Sequence, residues 1–337
     1  MIKIYDQNGW LNIPEIASTP QFIKCIIGGR GIGKTFGVLN YSYERKEKFI
    51  LLRTTQSEAE FLYNADFNPF KSLNSKFGYD VHCEKLNQYI GIFYELVDDV
   101  KVICGYVLAL STIAKIRGFD ASDVKRIVYD EFIPESHIHN SVIKNGGMAL
   151  LNAYETINRN RELEGLPPCE LWLLSNANNI DSDIMLELDL LPLHDKVRNG
   201  IATTNDVILI EPTESPISYR KSQTGIYRLS RSFNKMSLSN QFVGHYDGNI
   251  KSMNLNNSSL WIIYDNLCFY TFRDNNIVYV TQYKRKNDQP LYQYGDSNFE
   301  KKKFKNEASS LFNLYLSGDM YFENTKCEAL FNKIWET

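Results

Sequence analysis

The sequence predicts an α/β chain, a mainly parallel sheet with helices on both faces, followed by a smaller α+β unit. Three observations carry this. An apolar, β-branched run at Phe22–Ile27 breaks at a glycine-rich stretch that opens directly into a helical pattern. Short apolar runs then alternate with helical segments as far as residue 210, the pattern of strands joined by crossover helices. From Glu211 to Lys235 the texture shifts to Pro, Ser, Thr and basic residues, and three closely spaced β-rich runs follow.

In chain order, residues 1–21 are mixed polar and aromatic, with Pro14 and Pro20 as helix breakers. Tyr5, Trp10 and Gln21 precede the first strand, where they can either pack or meet a nucleotide base. Gly28-Gly-Arg-Gly-Ile-Gly-Lys-Thr35 has the G-x4-G-K-T spacing of a phosphate-binding loop. Gly28, Gly31 and Gly33 allow successive N–H groups to turn toward one anion. A helix growing from Lys34 sets its positive dipole end under the same anion. Lys34 is placed to reach the β- and γ-phosphates and the Thr35 hydroxyl to hold Mg²⁺. ATP and Mg²⁺ are the cofactors this pattern calls for. Gly28, Gly29, Arg30, Gly31, Ile32, Gly33, Lys34 and Thr35 are the binding residues. The plainer alternative is a glycine-rich turn at a helix N-terminus.

A helix is expected over 34–46, a strand over 49–53 and a short helix over 57–64. Strands are expected over 79–83, 89–96 and 100–108. Residues 111–120 read as a polar connection carrying Lys115 and Arg117. Residues 126–132 form an apolar strand ending in Asp130-Glu131. In phosphate-loop enzymes a strand-end Asp orders the Mg²⁺ shell. A Glu directly after it can polarise water, since alternate residues point to opposite faces. A helix over 147–163 ends in Asn158-Arg-Asn-Arg-Glu162, and Pro167-Pro168 mark a turn. Glu170–Ser175 is another buried strand, followed by Asn176, which can sense a γ-phosphate or simply form a turn. In such a sheet ligands sit at the strand carboxyl ends, where Gly28–Thr35, Asp130, Glu131 and Asn176 all fall.

The 337 residues are 43% hydrophobic and 13% aromatic, enough for a sizeable core. No apolar run reaches membrane-spanning length, and no signal-peptide pattern opens the chain, so no membrane partner is expected. Six scattered cysteines without a C-x-x-C pair read as free thiols in a reducing compartment. His137-x-His139 is a weak metal pair that reads better as a polar loop. Net charge is −3, unevenly spread: 21 Lys and Arg against 27 Asp and Glu in residues 1–207, and 16 against 13 in 208–337. The expected organisation is 1–207, a basic linker at 208–235, and a second domain at 236–337. In that domain, 259–264, 267–272 and 276–281 form a meander, and 306–317 and 324–335 are helical. Lys284-Arg-Lys286 and Lys301–Lys303 with Lys305 can grip a phosphate backbone or be solvated faces. Asp247, Asp265 and Asp274 have no diagnostic metal spacing.

Together, Gly28–Thr35, Val128–Phe132, Asn158–Glu162, Ser175–Ala177 and Met236-Ser-Leu-Ser-Asn-Gln-Phe242 resemble the DNA encapsidation ATPases of small, protein-primed tailed phages in order and separation. Large-terminase ATPases are more distantly similar, including the Arg117-Gly118 ahead of the acidic strand. The resemblance implies an ASCE-type P-loop NTPase domain followed by an RNase H-like domain that has lost its cutting site. It implies a homomeric ring of five subunits that pumps double-stranded DNA through the portal of a procapsid with ATP, in some such motors with a packaging RNA. It further implies a place in the host cytoplasm, docked transiently on the portal and absent from the mature virion. By matching motif, Lys34 and Thr35 bind phosphate and Mg²⁺, Asp130 organises the metal, and Glu131 is the catalytic carboxylate. Arg159 is offered in trans to the neighbouring subunit's ATP, and Arg117 is a second basic trans contact. The competing readings are a small-molecule kinase in which Arg159 and Arg161 form a lid, a terminase-like ATPase with an active nuclease domain, and a non-hydrolysing nucleotide-gated scaffold. A GTPase is disfavoured because no Asn-Lys-x-Asp guanine motif is present.

Overall fold

The expected first strand, Phe22–Ile27, forms over Ile23–Ile27, where every residue is buried, so both faces of the sheet are covered at that point. The computed structural model describes residues 2–116, 118–134, 143, 145–177, 180, 182–212, 215–225, 247–272 and 275–335. Arg117, His137, His139, Asp274 and the 236–242 motif lie outside the described residues. The chain divides into two compact units: Met1–Leu188 with Lys196–Val243, and Asp189–Asp195 with Gly244–Thr337.

The first unit opens with α1 (Ile13–Ala17), which has Pro14 in its first turn, where the ring costs no hydrogen bond. Strand β1 (Ile23–Ile27) leads through the glycine-rich loop into α2 (Lys34–Glu44) and β2 (Lys48–Arg53). Helix α3 (Gln56–Phe61) starts at a capping box formed by Thr55 and Glu58. Helix α4 (Lys71–Phe77) stops at Gly78, whose φ of +74° suits glycine. Next come the antiparallel strands β3 (His82–Lys85), β4 (Gly91–Val97) and β5 (Val100–Ala109). The expected polar connection at 111–120 is in part a 3₁₀ helix, Leu110–Ile116. Its buried residues, Leu110, Ile113 and Ile116, recur every third position, the spacing that one face of a 3₁₀ helix needs.

Strand β6 (Val124–Asp130) is followed by α5 (Gly146–Asn158), β7 (Glu170–Ser175) and α6 (Asp183–Glu187). Helix α5 ends at Asn158, earlier than the pattern suggests, because Arg159 has a φ of +49° and breaks the helix. In the second unit α7 (Leu191–His194) precedes Asp195, and the first unit resumes with β8 (Ile201–Thr203), β9 (Val207–Ile210) and α8 (Pro216–Ser222). Residues 208–210, placed by sequence in the linker, complete β9 and pair with β1. Part of the same linker is α8, with Ser215 as its N-cap and Pro216 in its first turn.

The sheet order is β3-β4-β5-β2-β6-β7-β1-β9-β8. The five central pairings are parallel and the edges antiparallel. Strand β7 stands between β1 and β6, in the mainly parallel sheet that the sequence predicts. Ile26, Phe49, Leu51, Val128, Trp172 and Leu174 share a buried cluster with Val38 and Leu39 of α2. Residues of opposite parity, such as Ile50, Ile127 and Leu173, are equally buried. Arg126, 1% exposed, is neutralised by Glu47 and Glu170 and donates to the Ser42 hydroxyl at 2.9 Å.

The second unit holds a five-stranded sheet, with β10 (Ser258–Tyr264), β11 (Leu267–Phe272) and β12 (Asn275–Thr281) forming the expected meander. Strand β13 (Tyr292–Tyr294) adds parallel to β10, and β14 (Met320–Phe322) parallel to β12. Helices α9 (Asn298–Glu307), α10 (Ser309–Ser317) and α11 (Thr325–Trp335) pack Phe304, Leu311 and Phe331 onto it. The lysine run 301–303, outside any expected helix, lies on α9. Thr325 donates its backbone N–H and its hydroxyl to the Asp195 carboxylate, at 3.1 and 2.5 Å. All six cysteines are free thiols. Among the described residues no helix is long and apolar enough to cross a membrane.

Candidate functional site

Strand register determines which side chains meet. Ile27 at the end of β1 pairs with Ser175 of β7, Leu174 of β7 with Asp130 of β6, and Tyr129 of β6 with Leu52 of β2. The carboxyl ends of four parallel strands therefore stand level, and each is followed by a polar residue or loop. The glycine loop leaves β1 with Gly28 N–H donating to Ser175 O at 3.1 Å. Gly31 and Gly33 take φ values of +72° and +91°, and α2 begins immediately after Gly33.

Lys34 folds back over its own loop. Its Nζ donates to Gly28 O (2.7 Å), Gly29 O (2.9 Å) and Asn176 Oδ1 (3.0 Å), all neutral oxygens. Burial lowers its pKa to about 8, and the charges of Arg30 and Lys221 push the same way, against Asp130 and Glu131. A buried ammonium held by neutral groups favours an arriving anion. Next to it, the Thr35 hydroxyl donates to Asp130 Oδ1 at 2.8 Å. Burial raises the Asp130 pKa, opposed chiefly by Arg53 and then by the Thr35 bond. A hydroxyl and a carboxylate side by side are the hard oxygen donors that suit Mg²⁺, so Thr35 and Asp130 could hold the ion.

Glu131 follows Asp130 with a φ of +58°, a left-handed conformation unusual for a non-glycine residue. The chain then crosses the end of β7: Phe132 N–H donates to Leu174 O at 3.3 Å and Ile133 N–H to Ser175 Oγ at 3.3 Å. Phe132 and Ile133 are buried, which anchors the turn. Arg53, at the end of β2, bridges the two acids. Its Nη1 is 3.0 Å from Asp130 Oδ2 and its Nη2 2.6 Å from Glu131 Oε2.

The arginines after α5 are elsewhere. Arg159 donates to Phe119 O at 2.8 Å. Arg161 donates to the carbonyls of Ala121, Ser122 and Val124 at 3.2, 2.8 and 2.7 Å. Val124 opens β6 and Asp130 ends it, roughly 20 Å away at the rise of a strand. Of the three aromatic and amide residues suggested near a base, Trp10 stands beside the loop, 3.4 Å from where a Cβ on Gly33 would lie. Tyr5 is held in place by Ser215, and Gln21 donates to Thr204 O at 3.1 Å, at the opposite end of β1 from the loop.

The model for the Podovirus DNA encapsidation protein (Gp16) family matches residues 5–333. The chain belongs to that family. Among its relatives, the DNA packaging protein of Bacillus phage phi29 is 27% identical over 245 residues, covering 71% of this chain and 68% of that protein. In structure, this chain is similar to a chain of the bacteriophage Phi-29 viral genome packaging motor assembly, with a TM-score of 0.68 and 22% identity. The match covers 97% of this chain and 98% of that one. A chain of the Phi-28 gp11 DNA packaging motor gives a TM-score of 0.62 at 21% identity over 97% of both chains. The fold is therefore shared across both units.

The structure brings Gly28–Thr35, Asp130, Glu131 and Asn176 together at the strand ends and leaves Arg159 apart from them. It also adds two residues the sequence reading passed over as site members. Arg53 lies 77 positions before Asp130, and only the order β2-β6 makes them neighbours. Lys221, read as linker charge, has its Nζ 3.0 Å from Arg30 O. Among the expected DNA-gripping residues, Arg285 is engaged internally by Asp288 (2.6 Å), Leu255 O (2.7 Å) and Ser258 O (2.9 Å). Lys301 donates to Lys333 O at 2.9 Å, whereas Lys302 and Lys303 are exposed.

Proposed function

We propose that this protein is an ATP-driven motor that moves double-stranded DNA into a preformed procapsid through its portal, as a homomeric ring of five subunits in the host cytoplasm. The observation that carries the reading is the Thr35–Asp130 contact at 2.8 Å, with Lys34 on one side and Glu131 on the other, at the carboxyl ends of β1, β7 and β6. Lys34 neutralises charge on the phosphates, and the loop amides orient them. Glu131 polarises the attacking water and takes its proton. Mg²⁺, when bound, supplies further charge neutralisation to the phosphates, held by Thr35 and Asp130.

The trans role of Arg159 is supported by its tether to Phe119 O, near the start of β6 rather than at the acidic end of that strand. An arginine supplied by a neighbour makes hydrolysis depend on neighbour geometry, which suits turn-by-turn firing around a ring. Arg117 is proposed as the second trans contact. The same tethers weigh against an Arg159–Arg161 lid over this chain's own nucleotide, and hence against a kinase. The second unit is proposed as a vestigial, RNase H-like domain that contacts DNA backbone.

Phosphate release by the purified chain alone, with double-stranded DNA, and with DNA plus empty procapsids tests the reading. Stimulation by both, together with DNA becoming protected inside the procapsid, is the expected result. Absence of phosphate release under all three conditions, or phosphate transfer to a small acceptor, overturns it.

A further inference from the structure

We propose that Lys221 is a second cation for the nucleotide's triphosphate, delivered to the phosphate loop by a helix that lies beyond the last strand of the sheet. This rests on the reading of the loop as an ATP site. Helix α8 is seated against the N-terminal segment: Arg220 donates to Asn8 O at 3.0 Å, and a Cβ on Gly9 would meet Pro216 Cβ at 2.8 Å. That seating carries Lys221 onto the middle of the loop. Its Nζ donates to Arg30 O at 3.0 Å, and a Cβ built on Gly31 would lie 1.9 Å from the same nitrogen. The positive φ of Gly31 favours glycine, and the ammonium of Lys221 lies in the open space beside it.

A latch that only held a carbonyl would need no charge; an asparagine or serine donates as well. The lysine places a full positive charge where no carboxylate pairs with it among the described residues. The Lys34 ammonium lies on the same loop, donating to Gly28 O and Gly29 O, and burial lowers the pKa of Lys221. Two partly desolvated ammonium groups converging on one glycine loop repel each other until an anion lies between or beside them. A polyphosphate chain supplies that anion, with several oxygens available to two donors. With nucleotide present, Lys221 turns from the Arg30 carbonyl to a phosphate oxygen, so the hold on the phosphate tail depends on where α8 sits.

Equilibrium binding of a fluorescent, non-hydrolysable ATP analogue and of the matching AMP analogue to the full chain tests this. Wild type, Lys221→Met, Lys221→Arg and Lys34→Ala are compared. Loss of a charge-assisted contact weakens the triphosphate analogue about ten-fold or more in Lys221→Met. The AMP analogue is unaffected, and Lys221→Arg retains most of the affinity. Triphosphate affinity unchanged in Lys221→Met, while Lys34→Ala abolishes binding, overturns the role of Lys221 and leaves the ATP site standing. Equal weakening of both analogues makes Lys221 a structural latch and also overturns it. A wild-type chain that binds neither analogue overturns the ATP site and this proposal with it.

Discussion

Arg53 and Asp130 form an ion pair at 3.0 Å in which both side chains are about 15% exposed, and the same guanidinium reaches Glu131 at 2.6 Å. It is the largest influence holding down the pKa of Asp130 against burial. Removing it by Arg53→Met leaves Asp130 buried without its ion-pair partner. Unfolding free energy should fall by roughly 3–5 kcal/mol, read from denaturant midpoints. A midpoint equal to that of wild type would show that the pair contributes nothing net.

Glu131 is largely exposed and its turn is anchored by Phe132 and Ile133, so its carboxylate can be altered with little effect on folding. Glu131→Gln should bind ATP as wild type does and lower kcat by about 10²–10⁴. Normal turnover would remove Glu131 as the base.

Arg159→Ala should also leave nucleotide affinity intact and lower turnover by roughly 10³–10⁵. Rings assembled from Arg159→Ala and Glu131→Gln subunits should recover part of the activity, because some interfaces then pair an intact Glu131 with an intact Arg159. Activity that no mixing ratio restores argues for an arginine acting within its own subunit.

The lowered pKa of Lys34, about 8, gives nucleotide binding a pH signature. At pH 7 the group is already protonated. At pH 9 it is mostly neutral in the nucleotide-free chain, and an arriving triphosphate raises its pKa again. Binding should take up close to one proton at pH 9 and little at pH 7, measured by calorimetry in buffers of different ionisation enthalpy. Lys34→Arg, which stays charged at both pH values, should abolish the difference. Equal uptake at both pH values would contradict the burial argument.

Lys302 and Lys303 are the exposed members of the lysine run on α9. Replacing both with Gln should weaken DNA binding about equally for all sequences and reduce the slope of log affinity against log salt by up to about 2. An unchanged slope would place the DNA elsewhere.

The parts of the site legible in the sequence are those in which chemistry is local to the chain. Gly28–Thr35 is contiguous because a single turn joins β1 to α2, and Asp130-Glu131 are adjacent because one strand end delivers both. Element ends were harder to read where a single residue decides them. The helix expected to continue through Glu162 ends at Asn158 because of the φ at Arg159, and the connection after β5 coils because Leu110, Ile113 and Ile116 need a common buried side.

Residue order alone determined that this chain carries a glycine-rich loop between a strand and a helix, and later an acidic strand end, since both depend on neighbours along the backbone. Only the tertiary structure decided that Arg53 holds both acids, that Lys221 stands over Gly31, and that Arg159 is tied near the far end of β6. Those relationships depend on strand order, on register and on the seating of a helix beyond the sheet. They arise from packing between segments tens to hundreds of residues apart, which leaves no periodicity in the sequence to read.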